Sequence, residues 1–456
     1  MTSTPVTTGT PRALDRDHRA VTVGLLALVT MFAFEAVAVS LAMPRVAAAL
    51  DGETLYPIGV IGMLTAAVVG MVVGGTWSDA RGPGRALLVG GLGFTVGLLV
   101  SGLASSMVVF VLGRLAQGLG CGLALTSMYV AVGDAYPADL RPRVFSLFAT
   151  AWVLPSIVGP FVAGALVDLL GWRSVFLVVA GFALLCTVFV WMTLRPHLLV
   201  RDAPLVWGRR PAYATVTATG AVALHVAGQV DGAGRALLLL AGVAMLAIAL
   251  PPLLPPGTLR ARPGLPATVA ARGVFGAAFA CLEMFIPLVL QDESGLSPTL
   301  TGLVMMVGAL GWVAGSAYTG RRAVPERYGA ILRAGSLSLV VGAAVSLAMV
   351  PTENQPWLAS AAATVGITVM GLGMGLVTPL LSTLALDLAE PGRQGESGAA
   401  VQMSDSLGQS VAAGLVGALF ASWYIADQGT SYLSGLGLAL LLSVVAVAIV
   451  GRAVRD

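Results

Sequence analysis

Ionisable side chains inside long apolar runs are the groups best placed to do chemistry in this chain, because a charge in hydrocarbon is costly unless it is paired, hydrated or neutral. Glu35 and Arg114 are two such groups. At a helical rise of 1.5 Å per residue, Glu35 lies about 12 Å from the end of its run at Met43, and Arg114 about 10 Å from the start of its own at Met107. The two runs traverse in opposite directions, so these depths match. Arg114, Gln117 and Cys121 recur at i, i+3 and i+7 and share one stripe of a helix. If that stripe faces Glu35, burial and the guanidinium pull the protonation of the carboxyl in opposite directions. A carboxyl whose proton depends on movement of its partner is a proton switch; the alternative is a static pair that fixes helix packing. Two further acids, Glu283 and Asp405, lie at different depths of later apolar runs. Pro287 cannot donate to the carbonyl of residue 283, so a kink is expected beside Glu283. With no arginine counted inside those runs, the C-terminal half reads as negatively charged. Together with Met31 and Cys121, Glu283 and Asp405 are expected to line a cavity that favours cations when they are ionised.

Elements that could hold such groups must be membrane helices. The 456 residues are 57% hydrophobic and 10% charged, whereas an ordinary soluble chain is about one-quarter charged. Fourteen apolar segments reach the roughly 20 residues that a bilayer requires. They divide the chain into a polar N-terminal tail (1–19), a six-helix bundle (20–194), two added spans with linkers (195–266), a second six-helix bundle (267–450) and a short tail (451–456). The first apolar stretch is too long for a cleavable signal and lacks a cleavage site. Counted by alternate loops, one side carries only Arg45, Arg173 and Arg235, Arg114 is intramembrane, and the other 21 of the 25 basic residues lie on the side of the N-terminus. That bias places both termini in the cytoplasm.

Composition also excludes several classes of chemistry. Every basic residue is arginine, which removes Schiff-base lysine chemistry and a lysine-bearing phosphate loop. A formal net charge of +3 provides no field for nucleic acid. His18, His197 and His225 are too scattered for a metal or haem site, and Cys121, Cys186 and Cys281 lie in apolar runs without a disulfide pattern. No cofactor is expected, and energy must come from an ion gradient or a separate subunit.

An internal repeat organises the spans. Gly118-Leu-Gly-Cys-Gly-Leu123 recurs as Gly371-Leu-Gly-Met-Gly-Leu376, and the same offset of 253 carries Asp134 onto Asp387. Gly70, Gly74 and Gly75 have a weaker echo in Gly311, Gly315 and Ser316. Duplicated halves around a midplane site are the architecture of secondary transporters.

Four motifs carry a more specific resemblance. Gly75-Thr-Trp-Ser-Asp79-Ala-Arg-Gly82-Pro-Gly-Arg85 resembles the cytoplasmic-loop signature of the major facilitator superfamily. Arg114-Leu-Ala-Gln117-Gly118 resembles its second motif, and Pro155-Ser-Ile-Val-Gly159-Pro160-Phe-Val-Ala-Gly164 is similar to the signature of its antiporters. Phe34-Glu35-Ala-Val-Ala-Val-Ser40-Leu-Ala42-Met-Pro44 follows the pattern of the fourteen-span drug:proton antiporter branch, with Glu for the usual Asp. The loop signature departs from the family at Ala80, where a base is expected, and in its thinned basic cluster. In the second half Gly320 and Ile367 stand where Asp79 and Arg114 have their repeat partners, so coupling is expected in the first half.

The resemblance implies an all-α polytopic protein, two pseudo-symmetric six-helix bundles plus two central helices, exporting drug-like cationic or neutral compounds in exchange for protons. Glu35, Arg114 and Gln117 would couple the proton. Pro155, Gly159, Pro160 and Gly164 would form a hinge or seal between the halves. Asp79 beside Arg81 and Arg85, and Asp134 and Asp139 beside Arg141 and Arg143, are expected to form a charge cluster that closes one state. A small-molecule substrate, protons and the lipid bilayer of the cell membrane are the expected partners, and a monomer the expected form. An exporter or flippase of a lipid or endogenous metabolite is the second reading, and a polytopic lipid-modifying enzyme a weaker third.

Overall fold

The structure, a computed structural model, describes residues 18–52, 55–197, 201–227, 230, 232–350, 355–423 and 428–454. Arg12 and Arg16 of the N-terminal tail and Arg455 of the C-terminal tail lie outside the described residues. Fourteen α-helices carry the fold: α1 (Arg19–Ala49), α2 (Tyr56–Arg81), α3 (Pro83–Gly102), α4 (Met107–Ala135), α5 (Arg141–Leu170), α6 (Trp172–Leu194), α7 (Arg210–Ala227), α8 (Ala233–Ala249), α9 (Leu265–Leu288), α10 (Pro298–Arg322), α11 (Tyr328–Leu347), α12 (Pro356–Asp387), α13 (Gln394–Trp423) and α14 (Gln428–Ala453). Helices suit an apolar solvent because each satisfies its own backbone polar groups. Some reversals are abrupt: Gly82 and Gly171, both at φ 81°, turn the chain between α2 and α3 and between α5 and α6. Pro83 then occupies the first position of α3, where no amide donor is needed. α1 runs through Pro44 to Ala49, beyond the end expected at Met43.

The expectation of fourteen membrane spans is met by twelve among the described residues. The exceptions are α7 and α13, and both carry polar side chains along their length. α7 holds Arg210, Tyr213, Thr215, Thr217, Thr219 and His225; α13 holds Gln402, Asp405, Ser406 and Gln409, which recur at i, i+3, i+4 and i+7 and so share one face.

α1 to α6 share one core, with Leu28, Phe32, Phe94, Phe110 and Phe176 buried in it. α9 to α14 share another, built on Phe275, Phe285, Leu339, Met370 and Tyr432. The repeated glycine runs perform the same packing in each. Gly118 and Gly122 of α4 lie against the Met63 and Ala67 carbonyls of α2, while Gly120 faces Phe94 and Gly90 of α3. In the second core Gly371 and Gly375 of α12 lie against the Gly308 and Trp312 carbonyls of α10, and Gly373 faces Gly335 of α11. Without a hydrophobic force between helices in lipid, this backbone approach is how such helices gain contact. The added hairpin closes through Gly220 and Gly242, whose backbones meet. α7 packs on α2 and α13, one from each core, whereas α8 packs on α7 and exposes Leu237, Leu240, Val243 and Ile248.

One end of the bundle carries Arg81, Arg141, Arg260, Arg321, Arg322 and Arg452; the other carries Arg45, paired with Asp168 at 2.6 Å, and Arg173. The cores meet through α2 with α13, α5 with α10 and α12, and α4 with α13. Gly75 against Gly395, Gly320 against Ser146, and Arg141 with Asp387 all place this meeting at the arginine-rich end.

Candidate functional site

Three helices converge on the first intramembrane charge pair. Arg114 of α4 pairs with Glu35 of α1, donates from Nη1 to Gln117 Oε1 at 3.0 Å and from Nε to the Gly59 carbonyl of α2 at 3.1 Å. The Glu35 side chain is fully buried and that of Arg114 only 4% exposed. The stripe read from residue spacing therefore does face Glu35. Glu35 Oε2 and Gln117 Nε2 are buried without a hydrogen-bond partner among the described residues. Cys121, one turn further along, is buried within electrostatic reach of the pair, and Met31 is half-buried. Removing one member of such a pair strands a buried charge at a cost of about 3–5 kcal/mol.

The reading of a second half without an intramembrane arginine is corrected by the structure. Arg272, counted among loop arginines, lies inside α9, and its Nη2 donates to Asp405 Oδ2 of α13 at 2.9 Å. The signal was in the sequence, an arginine following the apolar run Ala267 to Ala271. Its neutralising role was hidden because the partner is over a hundred residues away. Asp405 thus supplies no net negative charge, and Glu283, away from both helix ends, is exposed and enters none of the ion pairs found among the described residues. Arg272, Gly276, Phe279 and Glu283 form one stripe of α9. Opposite it on α10, the Trp312 ring meets Phe279 edge-on at 5.1 Å between centroids. Pro287 lies inside α9, which continues unbroken past Glu283 to Leu288, and the chain then passes into a π-helical segment, Val289–Glu293.

At the arginine-rich end the charge cluster exists, but its pairs differ from those expected. Asp79 accepts the amides of Gly395 at 2.6 Å and Glu396 at 2.8 Å, which places a carboxylate on the N-terminus of α13. Asp134 pairs at 2.8 Å with Arg201 of the linker before α7, and Arg201 also donates to the Ser78 carbonyl at 2.9 Å. Arg201 thereby brings a base from the linker to the loop signature, which has Ala80 where a base is expected. The linker is pinned further by Arg81 with Asp202 at 2.7 Å and by the Ala203 amide on the Ala80 carbonyl. Arg141, at the start of α5, crosses between cores to Asp387, the repeat partner of Asp134. Arg210, at the base of α7, reaches Glu396 at 2.9 Å. Arg85 and Arg143 are exposed and enter none of the ion pairs found among the described residues. Asp139 is exposed as well. Sequence spacing favoured near neighbours, whereas tertiary folding delivered partners from the linker and the other core.

Pro155 is buried in α5, and Gly159 faces Val37 and Phe34 of α1; Gly164 faces Leu41 of α1. These contacts join two helices of one core, while α5 meets the other core nearer its start, at Ser146. The side chain of Pro160 lies outside the described residues. Near the same end as the cluster, burial pushes the Tyr136 phenol up to about 12, against its 2.8 Å hydrogen bond with Thr22. The hydrogen bonds to Glu390 and Glu396 raise the Arg393 guanidinium above its ordinary value.

Comparison with known proteins accords with this geometry. Multidrug resistance protein 3 of Bacillus subtilis is 24% identical over 422 residues, covering 90% of this chain and 80% of its own. A protein named probable actinorhodin transporter, from Streptomyces coelicolor, is 27% identical over 415 residues, covering 84% and 68%. Among solved structures, the human organic anion transporter TETRAN superposes with a TM-score of 0.69 at 16% identity over 94% of this chain and 99% of its own, which shows the fold. The family model of the Major Facilitator Superfamily matches residues 23–413, and the chain belongs to that superfamily of transporters.

Proposed function

We propose that this transporter exports amphipathic small organic compounds from the cell in exchange for protons, by alternating access of a cavity between the two cores. The buried Glu35–Arg114 pair carries the reading. A proton on Glu35 would release Arg114 to Gln117 and the Gly59 carbonyl, changing how α1, α2 and α4 are tied together. The proton gradient would supply the energy, with no bound cofactor and a monomer as the working unit. Both termini and the arginine-rich end would face the cytoplasm, where arginine is retained. The meeting of the cores at that end would then be a state closed to the cytoplasm. Export is supported by the similarity to a multidrug resistance protein, and Glu283 beside Phe279 and Trp312 offers an acid and two aromatic faces to a cationic or neutral aromatic cargo.

A second reading, export of a self-made metabolite, is supported by the similarity to the actinorhodin transporter. Purified protein in liposomes with an imposed pH gradient tests both readings. Uphill movement of an aromatic cation, with stoichiometric proton counterflow that Glu35→Gln abolishes, is expected. Transport that ignores the pH gradient would remove the proton from the mechanism; movement of metabolites alone would favour the second reading.

A further inference from the structure

The Arg272–Asp405 pair is an incompletely satisfied site at the meeting of the two cores. Arg272 is 6% exposed, and only its Nη2 is engaged; Nε and Nη1 are buried with no partner among the described residues. Asp405 Oδ1 and Gln402 Oε1 are likewise buried and unpartnered. Buried polar groups are nearly always hydrogen-bonded, so several open donors and acceptors in one place point to a missing polar partner. Close packing makes the site: Gly273 lies against Ser404, Gly408 against the Gly273 carbonyl, and Gly276 against the Asp405 carboxylate. Tyr129 of α4, from the first core, lies within electrostatic reach of both charges, and its hydroxyl is 3.4 Å from that of Ser382. Ser406 and Gln409, on the face of α13 that holds Asp405, are half-buried and exposed, so the pair lies on a polar face of that helix.

We propose that Arg272 binds an acidic group of the cargo, a carboxylate or phenolate on an aromatic frame, and that Asp405 takes up a proton when it does so. This rests only on the chain's being a transporter; it adds an acidic cargo class to the cationic and neutral ones argued from Glu283, and the proton on Asp405 stays with that cargo, separate from the proton exchanged at Glu35. The reasoning is charge balance. Arg272 with ionised Asp405 is neutral, and an anionic ligand added to the pair would leave a buried net charge, which is strongly disfavoured. A proton on Asp405 restores neutrality and frees Nη2, so that the ligand replaces Asp405 as the partner of the guanidinium. Among the described residues, Arg272 is the charged group found in contact with Asp405. Of the helices packed on α13, α9 presents Arg272, α4 presents Tyr129 and α12 the Ser382 hydroxyl. The charges of α2 and α7, Asp79 and Arg210, meet α13 at Gly395 and Glu396, and Arg452 of α14 is held at the arginine-rich end by the Arg260 carbonyl.

Equilibrium binding to the purified full-length protein, with no gradient imposed, tests this independently of transport. The probes are 2-naphthoate and its uncharged amide, from pH 6 to 8, with calorimetry in two buffers of different ionisation enthalpy to count protons. The expected result is naphthoate affinity falling up to tenfold per pH unit, with proton uptake, while the amide binds without pH dependence. Arg272→Gln should lower naphthoate affinity at least tenfold and spare the amide; Asp405→Asn should strengthen naphthoate binding and remove the proton uptake. If Arg272→Gln does not fold, the neutral double variant Arg272→Gln with Asp405→Asn should still bind the amide and lose the preference for the acid. Equal affinity of the wild type for both probes, or equal losses for both in Asp405→Asn, would overturn the assignment and leave the pair a packing strut.

Discussion

Alanine at Gly75 would act as a wedge between the cores. A Cβ there would stand 2.5 Å from the Gly395 carbonyl oxygen, 2.8 Å from its carbon and 3.1 Å from the Ala399 Cβ. Ordinary contacts of this kind begin near 3.5 Å, so α2 and α13 would have to part by roughly 0.5 to 1 Å. No rotamer relieves the clash, because the obstacle is the backbone of a helix start whose amides Asp79 already holds. Overpacking of this size costs about 1–3 kcal/mol. Under the alternating-access proposal the contact is lost when the arginine-rich end opens, so the cost would fall on the closed state, and a coupling of this size corresponds to a shift of roughly 5- to 150-fold towards opening. Maleimide labelling of a single cysteine replacing Ser382, which is 1% exposed between the cores, reads the shift once Cys121, Cys186 and Cys281 are replaced by serine. Gly395→Ala should open the same end, since its Cβ would meet the Gly75 carbonyl and the Asp79 carboxylate. Gly90→Ala, which clashes with Ala124 inside one core, should lower folded yield without raising labelling. Unchanged labelling in both Gly75→Ala and Gly395→Ala would refute the view that backbone approach holds this end shut.

Glu35→Gln is expected to insert and to bind cargo while its pH-driven uphill export falls to background, as read in liposomes; undiminished export would make the pair structural. Arg114→Lys should lose at least tenfold in transport, because lysine cannot span Glu35, Gln117 and the Gly59 carbonyl with a planar fork; near-normal rates would reduce Arg114 to a point charge. Arg201→Ala should raise labelling at position 382 as Gly75→Ala does, since it releases Asp134 and the Ser78 carbonyl together. Glu283→Gln should weaken binding of an aromatic cation more than that of a neutral compound of the same size; equal losses would place Glu283 outside cargo selection. A cysteine at position 321 should resist membrane-impermeant reagents applied to intact cells, and labelling from outside would invert the topology.

Much of the architecture was readable along the chain because the reasons for it are local. A helix in hydrocarbon has to be a long apolar run, and the runs, the glycine repeat at offset 253 and the depths of Glu35 and Arg114 all follow from counting residues. The stripe of Arg114, Gln117 and Cys121 could be aimed at Glu35 in advance because both sit at one depth in helices of opposite direction. Where apolarity is diluted by a polar face, in α7 and α13, the described residues fall short of the apolarity of the other twelve spans.

What tertiary structure decided was the choice of partner for each charge. Asp79 binds the start of α13, Asp134 takes Arg201 from a linker, Arg141 crosses to Asp387, and Arg272 meets Asp405. None of these pairings follows from spacing, since each joins segments from about 70 to more than 300 residues apart and depends on how whole helices pack. Spacing favours neighbours in sequence, as with Asp134 and Arg141, but a charge near a membrane settles on whichever opposite charge the helix packing brings within about 3 Å. The sequence therefore determined which groups are expensive to bury and at what depth, and the packing of α2, α5, α9 and α13 determined which of them neutralise one another.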